Sequence, residues 1–148
     1  MCDYLEEHGS FYGAMVAHAG MWRAAEDTAE DFLGRLAVVP MVLEARGLDV
    51  TPGMIRIFEN AKDQQVVDAL NVIYAEEVAH VAYGSKWFHF LCGRDNIDPK
   101  PKFHALVRKY FHGALKPPFN EAKRAEAGIA PDFYWPLADE MLPPPAMR

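Results

Sequence analysis

A chain of 148 residues, half of them apolar and with a formal charge of −6, is long enough for one domain with a real core. Its acidic balance gives no general electrostatic footprint for nucleic acid, and without an apolar run of about 18 residues no membrane span is expected. The polar start MCDYLEEHGS is unlike a signal peptide, and Cys2 and Cys92 lie far apart, so the expected setting is a reducing cytoplasm with both thiols free.

Residues 3–8, DYLEEH, read as a helix tail, and GSFYGAMVAHAG as a glycine-punctuated connector, so that 1–20 forms a remnant tail and link. A long helix is predicted from about Met21 to Arg46, with a seam of Trp22, Ala25, Ala29, Phe32, Leu36, Val39 and Leu43. Within it Pro40 lacks an N–H and should free the carbonyl of Leu36, kinking the helix. Glu44 follows Leu33, Ala37 and Met41 on an apolar flank. From position alone it reads as the partner of Arg46 or another arginine at a helix end. GLDVTPG is expected to end the helix at Gly47, with Thr51 capping a short helix from Pro52 to Ala61.

Asp63 can cap a second long helix that ends near Gly93. Its seam is counted as Val66, Leu70, Ile73, Glu77, His80, Gly84, Trp87 and Leu91, at alternating steps of three and four. A carboxylate and an imidazole on a buried seam need partners, and one metal ion satisfies both, because residues three apart on a helix point the same way. Glu-x-x-His also arises by chance; the seam position is what points to metal. Further helices are predicted from Lys102 to Leu115 and over EAKRAEAG, stopped by Gly128, and 139–148 reads as a flexible Pro-rich tail. The class is all-α in one domain, 1–148, with no confident strand and no GxGxxG, GxxxxGK[ST] or GxSxG motif.

The stretches RLAVVPMVLEARGLDVTPGM, YAEEVAHVAYGSKWFHFLCG and PPFNEAKRAEAGI resemble ferritin-like proteins of the domain-of-unknown-function 455 group, over about Gly9 to Leu137. That resemblance implies a four-helix bundle with a carboxylate-bridged dimetal centre, usually di-iron, built from two Glu and two Glu-x-x-His sets. It implies Glu44, Glu77 and His80 as metal ligands. The ligands of the first two helices have no counterpart here: Glu6, Glu7 and His8 have the wrong spacing, and His18, His89 and Asn120 do not fall at ligand positions. The chain therefore reads as one half of a dimetal site: a truncated member, a fragment of a longer protein with a missing N-terminal half, or a half-bundle completed by a second copy as a homodimer or by another helical half.

A completed site would suit iron, with manganese or zinc as substitutes, and would make the protein a di-iron oxidoreductase or oxygenase on a small-molecule substrate that the sequence does not name. Tyr74, Tyr83 and Glu76 are candidate neighbours of the ligands, though aromatic residues in bundles are mostly core. The alternatives are a non-catalytic helical interaction module and, since some ferritin-like di-iron proteins modify tRNA, a tRNA hydroxylase, which the acidic balance does not support.

Overall fold

The computed structural model describes residues 2–141, all of them in helices, turns or connectors and none in strands. The helices are α1 (Cys2–Glu7), α2 (Gly20–Asp27), α3 (Phe32–Val38), α4 (Ala45–Asn60), α5 (Gln64–Arg94), α6 (Pro99–Tyr110), α7 (Glu121–Glu126) and α8 (Pro131–Met141). A π-helical turn, Val39–Glu44, joins α3 to α4 without a break.

The predicted first long helix is in fact divided, and it runs further than expected. It stops at Thr28, whose buried hydroxyl donates to the Ala24 carbonyl at 2.6 Å. It restarts at Asp31, whose extended backbone and carboxylate cap the Gly34 N–H at 2.8 Å. The restart changes the register, so Trp22, Ala29 and Phe32 of the counted seam are exposed, while Ala24, Thr28, Ala37, Val38, Met41 and Val42 are buried. At the other end, neither Gly47 nor Pro52 stops the helix. Pro52 leaves the Leu48 carbonyl without its helical donor, and the Asn120 side-chain amide supplies one at 3.2 Å. The missing N–H of Pro40 falls inside the π-helical turn, where the regular bonding pattern is already interrupted.

Asp63 caps α5 as expected, accepting from the Val66 N–H at 3.1 Å, and α5 and α4 form an antiparallel hairpin across Ala61–Asp63. The buried residues of α5 are Val66, Val67, Val81, Gly84, Ser85, Phe88 and Cys92, with Tyr74 and Val78 half-buried, so Val66 and Gly84 of the counted seam are buried while the rest of the buried stripe lies beside it. Ile73, His80 and Trp87, counted as seam, are exposed, and Glu77 is half-buried. α3, the π-helical turn and α4, joined by α6 and α7, pack against one side of α5, and the other side has no cover among the described residues.

That cover differs from expectation too. α6 begins at Pro99 behind the Asp98 cap and ends at Tyr110, five residues before the predicted end. Phe103, Leu106 and Val107 enter the core, where the rings of Phe88, Phe103 and Phe133 meet edge to face. Asn120 caps α7 and Gly128 ends it with φ of +78°. Residues 139–141, predicted as extended tail, are the last turn of α8, held where Arg108 forks onto Glu140 at 2.7 and 2.9 Å. The rest of that predicted tail, 142–148, lies outside the described residues.

A carboxylate and histidine face beside a buried ion pair

Two glycines set the register of the α4–α5 hairpin. At Gly84 a Cβ would collide with the ring of Pro40, and at Gly47 it would stand 3.3 Å from the Glu77 carboxylate. Pro40 against Gly84 and Gly47 against Glu77 put Glu44 level with His80 across the pair. Glu77 Oε2 lies 3.6 Å from His80 Nδ1, with side-chain exposures of 19% for Glu77 and 59% for His80. Glu44 is half-buried at the end of the π-helical turn. Burial raises its pKa above the ordinary 4.5, repulsion by Glu77 raises it further, and only His80 opposes. The three predicted residues thus share one face and one electrostatic environment. Among the described residues, no group of three or more His, Cys, Asp or Glu side chains could by itself hold a metal ion.

Glu44 does not make the helix-end ion pair its position suggested. Arg46 turns away from it, donating to the carbonyls of Lys116 at 2.6 Å and Pro118 at 3.3 Å and to Asp49 Oδ2 at 3.4 Å. Nor can the N-terminal acids reach the face. Tyr4 donates to Asp63 Oδ2 at 2.5 Å, which pins α1 to the hairpin turn. Glu77 stands 14 residues further along α5, roughly 21 Å at the rise of an α-helix. His89 is held by its own helix, with Nδ1 donating to the Ser85 carbonyl at 2.8 Å, and His18 Nδ1 accepts from the Gly20 N–H at 3.1 Å. Of the three candidate neighbours, Tyr83 and Glu76 are exposed, while the Tyr74 hydroxyl accepts from the Asn120 amide at 2.9 Å.

The network that Tyr74 joins is one the sequence pattern did not mark as a unit. The side chains of Arg124 and Asp49 are fully buried and form a two-point fork, Nε to Oδ1 at 2.9 Å and Nη2 to Oδ2 at 2.6 Å. The guanidinium also lies over the rings of Tyr134 and Phe119, 4.6 and 4.9 Å from their centroids. The Asn120 N–H donates to Asp49 Oδ1 at 2.9 Å. The ARGLD and NEAKRAEAG stretches are therefore two halves of one clamp that ties the C-terminal cover to α4. A legible signal existed: Arg124 stands three residues before Ala127 and five before Ile129, both buried.

An all-helical protein whose C-terminal part is clamped to α4 by a buried Asp–Arg fork is the class that the fold defines. The model of a protein family of unknown function, DUF455, matches residues 1–135, and the chain belongs to that family. An uncharacterized protein of Haemophilus influenzae is 39% identical over 127 residues, which cover 86% of this chain and 44% of the relative. This chain thus spans less than half the length of that curated relative. No solved structure matches.

Proposed function

We propose that this chain is a ferritin-like metal-binding module that contributes Glu44, Glu77 and His80 to a dimetal centre, with iron as the metal and manganese or zinc as substitutes. The observation that carries the reading is Glu44: a desolvated carboxyl next to a second carboxylate, with one imidazole beside them and no arginine or lysine paired to it among the described residues. A cation shared by the three side chains would relieve that repulsion. The donor set fits half of such a centre, two carboxylates and one nitrogen. A second helical half would supply the remainder.

When bound, such a metal pair supplies redox chemistry toward dioxygen or another small oxidant, which would make the completed protein an oxidoreductase or oxygenase. The chain's own contribution is narrower. Glu44 and Glu77 supply negative charge at one level of the hairpin, His80 supplies a nitrogen donor from the open side, and Gly47 leaves room for the Glu77 carboxylate. A non-catalytic helical interaction module is the second reading, favoured by the uncovered side of α5. The acidic balance leaves a tRNA-modifying hydroxylase without support.

The test is an anaerobic titration of the purified chain with ferrous iron, followed by thermal melting, and by metal analysis after desalting. Ferrous iron should raise the wild-type Tm by mass action and leave Glu77→Gln and His80→Ala unmoved. Equal responses in all three proteins, or none in the wild type, would sink the reading.

A further inference from the structure

The uncovered side of α5 carries a stripe of large apolar residues: Val72 and Ile73 near one end, Tyr83 in the middle, Trp87 and Phe90 at the other. His80 lies within it, between the apolar ends. The stripe from Val72 to Phe90 is about 27 Å long at the α-helical rise. Tyr83, Trp87 and Phe90 are 63%, 52% and 58% exposed. With side chains of about 150–250 Å² each, they alone offer roughly 300–400 Å² of ring surface. A standard interface buries about 800 Å² per partner, a little over half of it apolar, so roughly 450 Å². Val72 and Ile73 close that gap.

The charges beside the stripe are arranged about the same midpoint. Glu76 lies five residues before Val81 and Lys86 five after it, both exposed. Further out, Arg94 is engaged by Asp95 at 2.7 and 2.9 Å and Asp68 by the Gln64 amide at 2.7 Å, so Glu76 and Lys86 are the pair left open. An antiparallel pair of α5 helices crossing at the level of Val81 would bring Glu76 level with the partner's Lys86. That pairing would occur twice. It would also set Val72 and Ile73 against the partner's Phe90 and bring both copies of His80 close to the axis.

We infer that the stripe is the docking face for a second copy of this chain, in a two-fold antiparallel dimer centred on Val81 of α5. The inference rests on the proposed metal reading only where it names a consequence: the two copies of Glu44, Glu77 and His80 meet at the axis, and the partner completes the centre. Self-complementary charge about one midpoint is what a two-fold interface requires and an unrelated partner does not.

Sedimentation equilibrium of the full chain without metal should give a concentration-dependent dimer. Trp87→Asp, at an exposed position, should weaken it about 100-fold, as loss of an aromatic anchor that becomes buried in an interface does. Lys86→Glu alone should weaken it about tenfold, and the double variant Glu76→Lys/Lys86→Glu should restore it, because opposite charges again face each other. Circular dichroism melts establish that each variant is folded. A folded monomer at all concentrations would overturn the inference and leave the face to another occupant, such as the additional length that the longer relative carries. A dimer indifferent to both Trp87 and Lys86 would overturn it equally. A dimer that forms but takes up no metal would keep the inference and count against the metal reading, so the two fail separately.

Discussion

Two groups of charged residues flank the start of α4, one pairing Asp49 of α4 with Arg124 of α7 and the other setting Glu44 of the π-helical turn beside Glu77 and His80 of α5, and they are treated in opposite ways. Around Asp49 and Arg124 every strong charge has a partner: a two-point fork, a backbone N–H and two aromatic faces meet out of water. Around Glu44, one and a half turns earlier, a carboxyl is desolvated beside another carboxylate with one half-open imidazole for relief. Buried paired charge fixes which segments belong together, whereas buried unpaired charge costs stability and is retained where something else is to bind. The first group is architecture, and the second is the place to look for chemistry.

Breaking the paired group should have the largest effect. Asp49→Ala leaves the Arg124 guanidinium buried without its carboxylate, a loss of about 3–5 kcal/mol. In a chain of this size that lowers Tm by roughly 10–15 °C. Asp49→Leu/Arg124→Met should recover a large part of the loss, since apolar residues of similar volume replace such pairs at little cost. A double variant no more stable than Asp49→Ala would mean that the fork carries stability of its own.

A smaller effect is expected where the hairpin register is set. In Gly84→Ala the new methyl meets the ring of Pro40, an overpacking that costs about 1–3 kcal/mol. If the close approach of Pro40 to Gly84 is what keeps Glu44 level with His80, this variant also loses the response to ferrous iron. A destabilised protein with an unchanged iron response would separate the register from the site.

The smallest effect has the opposite sign. Glu44 has a folded pKa above its ordinary value, so between the two values the native state binds more protons than the unfolded one. Stability therefore falls as pH rises from the ordinary value through the raised one. Below about pH 4.5 the side chain is neutral in both states and contributes nothing. Glu44→Gln removes the ionisation, and without metal its Tm should match wild type in acid and exceed it by up to about 3 °C at neutral pH. With ferrous iron the order should reverse. Melting curves at pH 4 and pH 7.5 check both halves, and a lower Tm for Glu44→Gln at neutral pH without metal would contradict the unpaired-charge account.

Local chemistry wrote much of this protein into its sequence. Asp63 before an apolar run marked the start of α5, Gly128 marked the end of α7, and helical spacing alone gave the all-α class. Glu77 and His80, three apart on one helix, were bound to point the same way wherever that helix went. What counting could not supply was where each face would be turned. Steps of three and four describe two neighbouring stripes of α5 equally well, and the packing of α3, the π-helical turn, α4, α6 and α7 left the one from Val67 to Cys92 the more buried. Gly47 and Pro52 are helix breakers by propensity. At Pro52 an Asn120 amide satisfies the freed Leu48 carbonyl, and the helix runs through both residues. The Asp49–Arg124 fork joins residues 75 apart in sequence, and no local pattern encodes such a pairing. Propensity and periodicity act within a few turns of chain, whereas burial and charge pairing are properties of surfaces that exist only after distant segments have met.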